Sequence, residues 1–246
     1  MKKQYPREVK NYTFRHMVAS NLLDTGIYSL GQAARLIGVE TRAVRRWMRG
    51  HRWKYGEGHR STPPLWKAQL ADADFDEPAI GFRDLMELRL VRAFTDAGVS
   101  LQVIKATIEA ARDSWHMDYP LTTRRFLTDG KKIFESAVDD AGDETLTDVR
   151  ARQIVFTHVI KPSLYTGIEY AGNVARLWTP SGNKGVALDP SRQFGTPIVV
   201  GPSIPTDTIF DAFIAEGCDR KAVARQFEIE PKHVDIAVRF EERLRA

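Results

Sequence analysis

Apolar residues recur at helical spacing through most of this chain, and the places where the period changes divide it. Between Leu30 and Arg49 two short amphipathic segments stand one after the other. Ala33, Leu36 and Ile37 give the first an apolar face, and Val44, Trp47 and Met48 give the second. Ser29, with Gln32 three residues on, has the spacing of a capping box. Gly38 stops the first helix, and Thr41 is expected to cap the second. Two helices joined by so short a turn predict a helix-turn-helix. A longer amphipathic helix is predicted from Ile80, Phe82, Leu85, Leu88, Leu90, Val91 and Phe94, ending at Ala97-Gly98. Ser100 then caps another, with Leu101, Ile104 and Ile108 inward. Residues 1–27 carry a looser apolar face and predict a leading helix or arm.

From Tyr119 to Gly201 the pattern shifts toward strands. Thr122–Leu127 and Lys131–Phe134 flank Thr128-Asp129-Gly130, and Asp-Gly between apolar runs is the strongest short signal for a hairpin. An acidic loop, Asp139–Glu144, leads into a helix predicted over Thr147–Val159. Strands are then predicted at Leu164–Tyr170, Val174–Trp178 and Val186–Leu188, with the turn at Pro180–Gly185. This block reads as a small sheet packed on a helix. Exposed sheet edges invite pairing with a second copy or a partner; a plain linker domain is the alternative. From Asp207 helices return: Asp207–Glu216 stopped by Gly217, a second capped by Asp219 and ending near Phe227, and a third with Pro231 at its first position, where its missing N–H costs nothing. The expected fold class is therefore α+β, mainly α, in three units: 1–112, 113–185 and 186–246.

Charge sharpens this division. The net charge of +4 hides an asymmetry, because residues 1–70 hold fourteen Lys or Arg against four Asp or Glu, a balance of +10 that leaves −6 for the rest. A basic head on an acidic body suits a DNA-reading domain joined to a protein-binding one. Arg42, Arg45, Arg46 and Arg49 recur at spacings that put them on one face of the second short helix. After it come His51, Arg52, Trp53, Lys54 and Tyr55, then Gly56, Gly58, His59 and Arg60. Basic and aromatic residues turning through glycines are what a ribbon lying on phosphates needs. The expected DNA contacts are Arg42, Arg45 and Arg46 at base edges, with Arg49, Arg52, Lys54, Tyr55 and Arg60 along the backbone.

Other chemistry is excluded more than suggested. No apolar run reaches the ~18 residues a membrane helix needs, and the basic amino terminus lacks the apolar core of a signal peptide. The single cysteine, Cys218, fits a reducing, cytoplasmic setting. The six histidines are scattered without metal-ligand spacing. Asp72, Asp74, Asp76 and Glu77 read as loop composition. Asp139, Asp140, Asp143 and Glu144 are the one run a metal-dependent nuclease could use, and a solvated loop explains them more simply. No catalytic residue, metal or cofactor is expected.

Two resemblances follow from these motifs. Helix-turn-helix, basic hairpin and then FRDLMELRLVRAFTDAGVSLQVIKATI, over about residues 28–112, resemble the DNA-binding domain of the MerR family of winged-helix regulators. The chain departs from that family's classical activators in lacking a long heptad-bearing dimerisation helix and a cysteine cluster. Further on, Asp189-Pro190, Phe194-Gly195-Thr196-Pro197, Val200-Gly201 and the segments to Phe240 resemble the small three-helix, helix-turn-helix-like domain of VapB-type antitoxins, with Pro202-Ser203 departing from the usual small or basic residues. The resemblance implies a partner, a PIN-like ribonuclease toxin of the VapC kind. The unit from Thr206 on carries nine acidic and seven basic residues, which favours protein over phosphate. Arg239, Arg243 and Arg245 on its last helix are the expected toxin contacts, since arginine engages clustered carboxylates bidentately. Solvated arginines at a helix end favoured by its dipole are the alternative.

The function expected from all this is that of a cytoplasmic, homodimeric, non-enzymatic antitoxin that binds its toxin and represses its own operon through operator DNA. The alternative is a stand-alone MerR-like transcriptional regulator with a small effector bound in an apolar pocket within residues 113–205.

Overall fold

The computed structural model describes residues 22, 24–56, 58–73, 75–142, 149–160, 162, 166–180 and 185–246, with backbone alone at 55, 149, 159 and 160. Most of the leading arm expected over 1–27, Asp143 and Glu144, and the middle of the turn Pro180–Gly185 lie outside the described residues. The molecule is mixed α and β, and mostly helical. No described helix is long and apolar enough to cross a membrane.

A two-residue strand β1 (Tyr28–Ser29) leads into α1 (Leu30–Ile37) and α2 (Thr41–Arg49). The capping box at Ser29 forms in both directions: Gln32 N donates to Ser29 Oγ at 3.1 Å, and Ser29 N donates to Gln32 Oε1 at 2.9 Å. Gly38 ends α1 in the left-handed conformation. Thr41 is not the cap expected of it. Glu40 holds that position without a side-chain bond, and Thr41 is already the first helical residue. The hairpin β2 (His51–Tyr55) and β3 (Gly58–Thr62) follows, then a loop to β4 (Ala79–Ile80), which pairs antiparallel with β1. Helices α3 (Phe82–Asp96) and α4 (Leu101–Trp115) come next. Ser100 caps α4 through Val103 N.

The strands expected across Thr122–Leu127 and Lys131–Phe134 are absent. One helix, α5 (Arg124–Ala141), covers them. Phe126, Leu127, Gly130, Phe134, Ala137 and Val138 are its buried positions, a helical period that overrides the local turn signal of Asp129-Gly130. Thr123 Oγ1 caps it by accepting from Phe126 N at 3.2 Å. Gly130 has a packing reason, because a Cβ there would lie 2.7 Å from the Phe126 ring. Asp139 and Asp140 belong to the last turn of α5 and not to a loop. A short α6 (Val149–Ile154) then widens into π-helical turns over Val155–Ile160, and both Val155 and Phe156 are buried.

Nor do the later strands form one central sheet. They make two-stranded pairs, β5 (Ile168–Ala171) with β6 (Val174–Trp178) and β7 (Val186–Ala187) with β8 (Ile198–Val199), joined only by an antiparallel bridge between Trp178 and Leu188. The segment 113–185 is thus richer in helix than in strand among its described residues. The chain ends in α7 (Thr206–Ala215), α8 (Arg220–Gln226) and α9 (Pro231–Arg245). Asp219 caps α8 by accepting from Lys221 N and Ala222 N, and Pro231 sits in the first turn of α9.

One apolar core runs from Tyr28 to Leu188 and a smaller one gathers Val199 with the last three helices. At the centre of the first, Phe94, Phe126, Phe134 and Phe156 meet ring against ring, with centroids 5.4–6.4 Å apart. The units are stitched where the chain first enters the core. Tyr28 Oη donates to the Gly195 carbonyl at 2.8 Å, and Ile27 N donates to the Phe194 carbonyl at 2.9 Å. Phe194 and Gly195 hold left-handed backbone there, φ 51 and 80.

Two buried carboxylates on α3 fix what lies on either side of it. Glu87 accepts from Thr122 N (2.9 Å), Thr122 Oγ1 (2.8 Å) and Leu121 N (3.3 Å), pinning the entry to α5. Burial outweighs these donors and raises its pKa to about 7. The folded chain therefore holds a proton that the unfolded chain releases near 4.5. This contribution is complete below pH 4.5 and is lost as pH rises through about 7, at a cost of about 3 kcal/mol. Chemical denaturation across that window should show Glu87→Gln losing less stability with rising pH than the parent chain; parallel curves would contradict this account.

Candidate nucleic-acid interface

The second helix of the pair, α2, buries Val44, Trp47 and Met48 and exposes Arg42, Arg45, Arg46 and Arg49. This division follows from its spacing, since residues three and four apart share a face. Arg42 is tied to Glu40, one contact being Nη2 to Oε1 at 3.1 Å. Arg45, Arg46 and Arg49 meet no carboxylate among the described residues, and the same holds for Arg52 and Lys54 on the hairpin.

The hairpin itself is polar on both sides. Every residue of β3 is exposed, as are His51, Arg52 and Lys54 on β2. The register pairs His51 with Thr62, Trp53 with Arg60 and Lys54 with His59, so cations from both strands lie across one ribbon. His51 and Trp53 stack at 5.6 Å with planes 11° apart. Arg60 is exposed and has a partner of its own; of Tyr55 the backbone alone is described. A two-stranded ribbon without a buried face is marginal by itself, so its base must hold it. Leu65 N donates to the Trp47 carbonyl at 2.9 Å. Gly50, at φ 72, lies so close to the other strand that a Cβ would run into the Thr62 carbonyl oxygen.

The ribbon's exit is anchored by Asp84, whose local capping position on α3 accounts for only one of its partners. Its carboxylate is buried and accepts from Trp66 Nε1 (2.8 Å), Gln69 N (2.9 Å) and Gly81 N (3.0 Å). Burial raises its pKa against the pull of those donors. Trp66 and Asp84 are 18 residues apart, so only the tertiary fold brings them together.

The three arginines of α9 are differently placed. Arg239 is exposed, with Nε on its own helix's Asp235 carbonyl at 3.2 Å. Arg243 lies over the Phe240 ring at 5.3 Å. Arg245 is engaged inside the unit, 4.2 Å over the Phe210 ring and bridging to Asp211 (3.5 Å) and Glu241 (3.6 Å). The arginines of α2 and the hairpin are thus exposed, while Arg245 of α9 is turned back onto its own unit.

With this geometry in view, comparison with known proteins is informative. Residues 26–108 match a family model described as "Putative DNA-binding HTH domain". Two Mycobacterium tuberculosis proteins are each 22% identical to the chain. "Uncharacterized protein Rv2308" aligns over 93% of this chain and 95% of its own length. "Putative antitoxin VapB45" aligns over 85% of this chain and 90% of its own. The crystal structure of Rv2018 from Mycobacterium tuberculosis shares the fold with a TM-score of 0.61 at 19% identity, covering 88% of this chain and 99% of that one. The chain carries a helix-turn-helix DNA-binding domain, and its fold extends beyond that domain to nearly the whole of a solved relative.

Gly50→Ala should pry the hairpin from α2. A left-handed backbone and a steric clash together predict a loss of more than about 1 kcal/mol. A drop in melting temperature accompanied by weaker DNA binding is the expected result, and an unchanged melting temperature would show that the junction tolerates a side chain.

Proposed function

We propose that this chain is a dimeric, DNA-binding antitoxin that represses its own operon and neutralises a PIN-like ribonuclease toxin of the VapC kind. The observation that carries the reading is the run of uncompensated cations from Arg45 to Lys54, on the outer face of α2 and continuing along the hairpin. In this reading the hairpin is the wing of a MerR-like winged helix. Helix α2 enters the major groove with Arg42, Arg45 and Arg46 toward base edges, and Arg42 exchanges Glu40 for the operator. Arg49, Arg52, Lys54 and Arg60 lie along phosphates, where each neutralised charge releases counterions.

The antitoxin half is supported by the named antitoxin among the relatives and by the acidic balance of the last helical unit. Arg239 and Arg243, one turn apart on α9, are the arginines to face toxin carboxylates, because Arg245 already serves Asp211 and Glu241. The chain acts in the cytoplasm by binding alone, without cofactor or catalysis. Two copies read a palindrome with half-sites about one helical turn apart.

Two measurements test the two halves separately. Removing Arg49, Arg52 or Lys54 one at a time should flatten the log–log salt dependence of operator binding by about one unit each. Unchanged slopes for all three would displace the hairpin from the phosphates. Expression of the neighbouring open reading frame alone should arrest growth, and co-expression of this chain should rescue it. Normal growth in both cases would leave the DNA reading intact and replace the antitoxin reading with that of a regulator working alone.

A further inference from the structure

Behind the DNA-reading face, the first helix, α3, the β5–β6 hairpin and the end of α9 enclose a cleft of about 630 Å³. That volume falls in the range of small-molecule sites. Its charged lining is one-sided: Arg35, Arg89, Arg92 and Arg243 face a single carboxylate, Asp96, among the described residues. Asp96 is already occupied, since Arg92 Nε donates to it at 3.1 Å.

Two of the arginines are held in place by the protein. Arg92 also donates to the Ile37 carbonyl at the end of α1. Arg89 lies 4.5 Å over the Trp178 ring and donates to the Thr166 carbonyl at 3.3 Å. Its burial lowers its pKa to about 10, which leaves it charged at neutral pH but at a cost in desolvation. The other two stand at the rim with exposed side chains: Arg35 on α1 has no partner among the described residues, and Arg243 rests on Phe240. Fixed cations at the floor and adaptable ones at the edge make a preorganised receptor for negative charge. Around them Leu36, Ile37 and Leu244 supply an apolar wall.

We propose that this cleft binds a small organic anion with a phosphate- or polycarboxylate-type head and an apolar body. A duplex is excluded by the shape, because the site is recessed between elements, whereas α2 and the hairpin stand outward. The proposal shares Arg243 with the toxin-facing pair of the antitoxin reading but rests otherwise on Arg35, Arg89 and Arg92, and it gives the chain a ligand whose binding ties α9 to the first helix of the DNA-reading pair.

The test uses the full-length chain in isothermal titration and thermal melting, with metal-free ADP, inorganic pyrophosphate and citrate as probes. One-to-one saturable binding of at least one probe, with a raised melting temperature, is expected. ADP and pyrophosphate together against citrate separate a phosphate head from a carboxylate one. Charge-assisted hydrogen bonds contribute about 1.5–3 kcal/mol each. The double variant Arg35→Ala/Arg243→Ala should therefore weaken binding at least about tenfold, and Arg225→Ala, on an exposed turn of α8, should not. Arg35→Ala alone replaces an exposed helical residue with the best helix former, so it reports on the site even if the double variant folds poorly. No saturable binding of any probe at about 10 mM, a concentration that would reveal even very weak sites, overturns the proposal. So does binding that survives in both cleft variants and disappears in Arg45→Ala/Arg46→Ala, which would place the anion on the DNA face.

Discussion

The constraint on which the rest of this molecule depends is the buried carboxylate of Asp84. A polar hairpin with no buried face has nothing of its own to hold it at a fixed angle. Asp84 supplies the fixture from outside, gathering the Trp66 indole, the Gln69 amide and the Gly81 amide onto one side chain at the start of α3. Those donors partly offset the loss of water around the carboxylate, and removing them would leave a buried acceptor unsatisfied. Through Trp66 the fixture reaches the hairpin's exit. Through Gly81 it reaches β4, whose pairing with β1 sets the entrance to α1. The DNA-reading elements are thus held from both ends by one group.

Glu87, one turn further along the same face of the helix, holds a different neighbour. It takes hold of Leu121 and Thr122 and so sets where α5 begins. Helix α3 is consequently less an amphipathic surface helix than a central post, buried nearly all round, with one acid holding Trp66 and Gln69 and the next holding Leu121 and Thr122.

The last three helices are joined to the same frame from another direction. Tyr28 immediately precedes the capping residue of α1, and its hydroxyl is held by the Gly195 carbonyl in a loop with left-handed backbone. This contact, together with the meeting of α1 and α9 around the arginine-lined cleft, is the physical link between the carboxy-terminal unit and the helix-turn-helix.

Sequence alone determined the features whose causes are local. Ser29 with Gln32, Ser100, Asp219 and Pro231 each mark a helix start because capping is settled within three or four residues. The arginine face of α2 was legible for the same reason, as a helix repeats every 3.6 residues whatever surrounds it. Thr41 was a near miss, where Glu40 and Thr41 compete for one boundary. Asp129-Gly130 misled because its hairpin signal is local, whereas the decision was tertiary: Phe126, Phe134 and Val138 gain a shared core only as a helix, and the missing Cβ of Gly130 makes room for the Phe126 ring. Asp84, Glu87 and the cleft of Arg35, Arg89, Arg92 and Arg243 had no complete signature, since apart from Gly81 the partners of the two acids lie 15 to 35 residues away and the arginines are spread over α1, α3 and α9. Packing assigns those residues their roles, and packing is fixed only when the whole chain has folded.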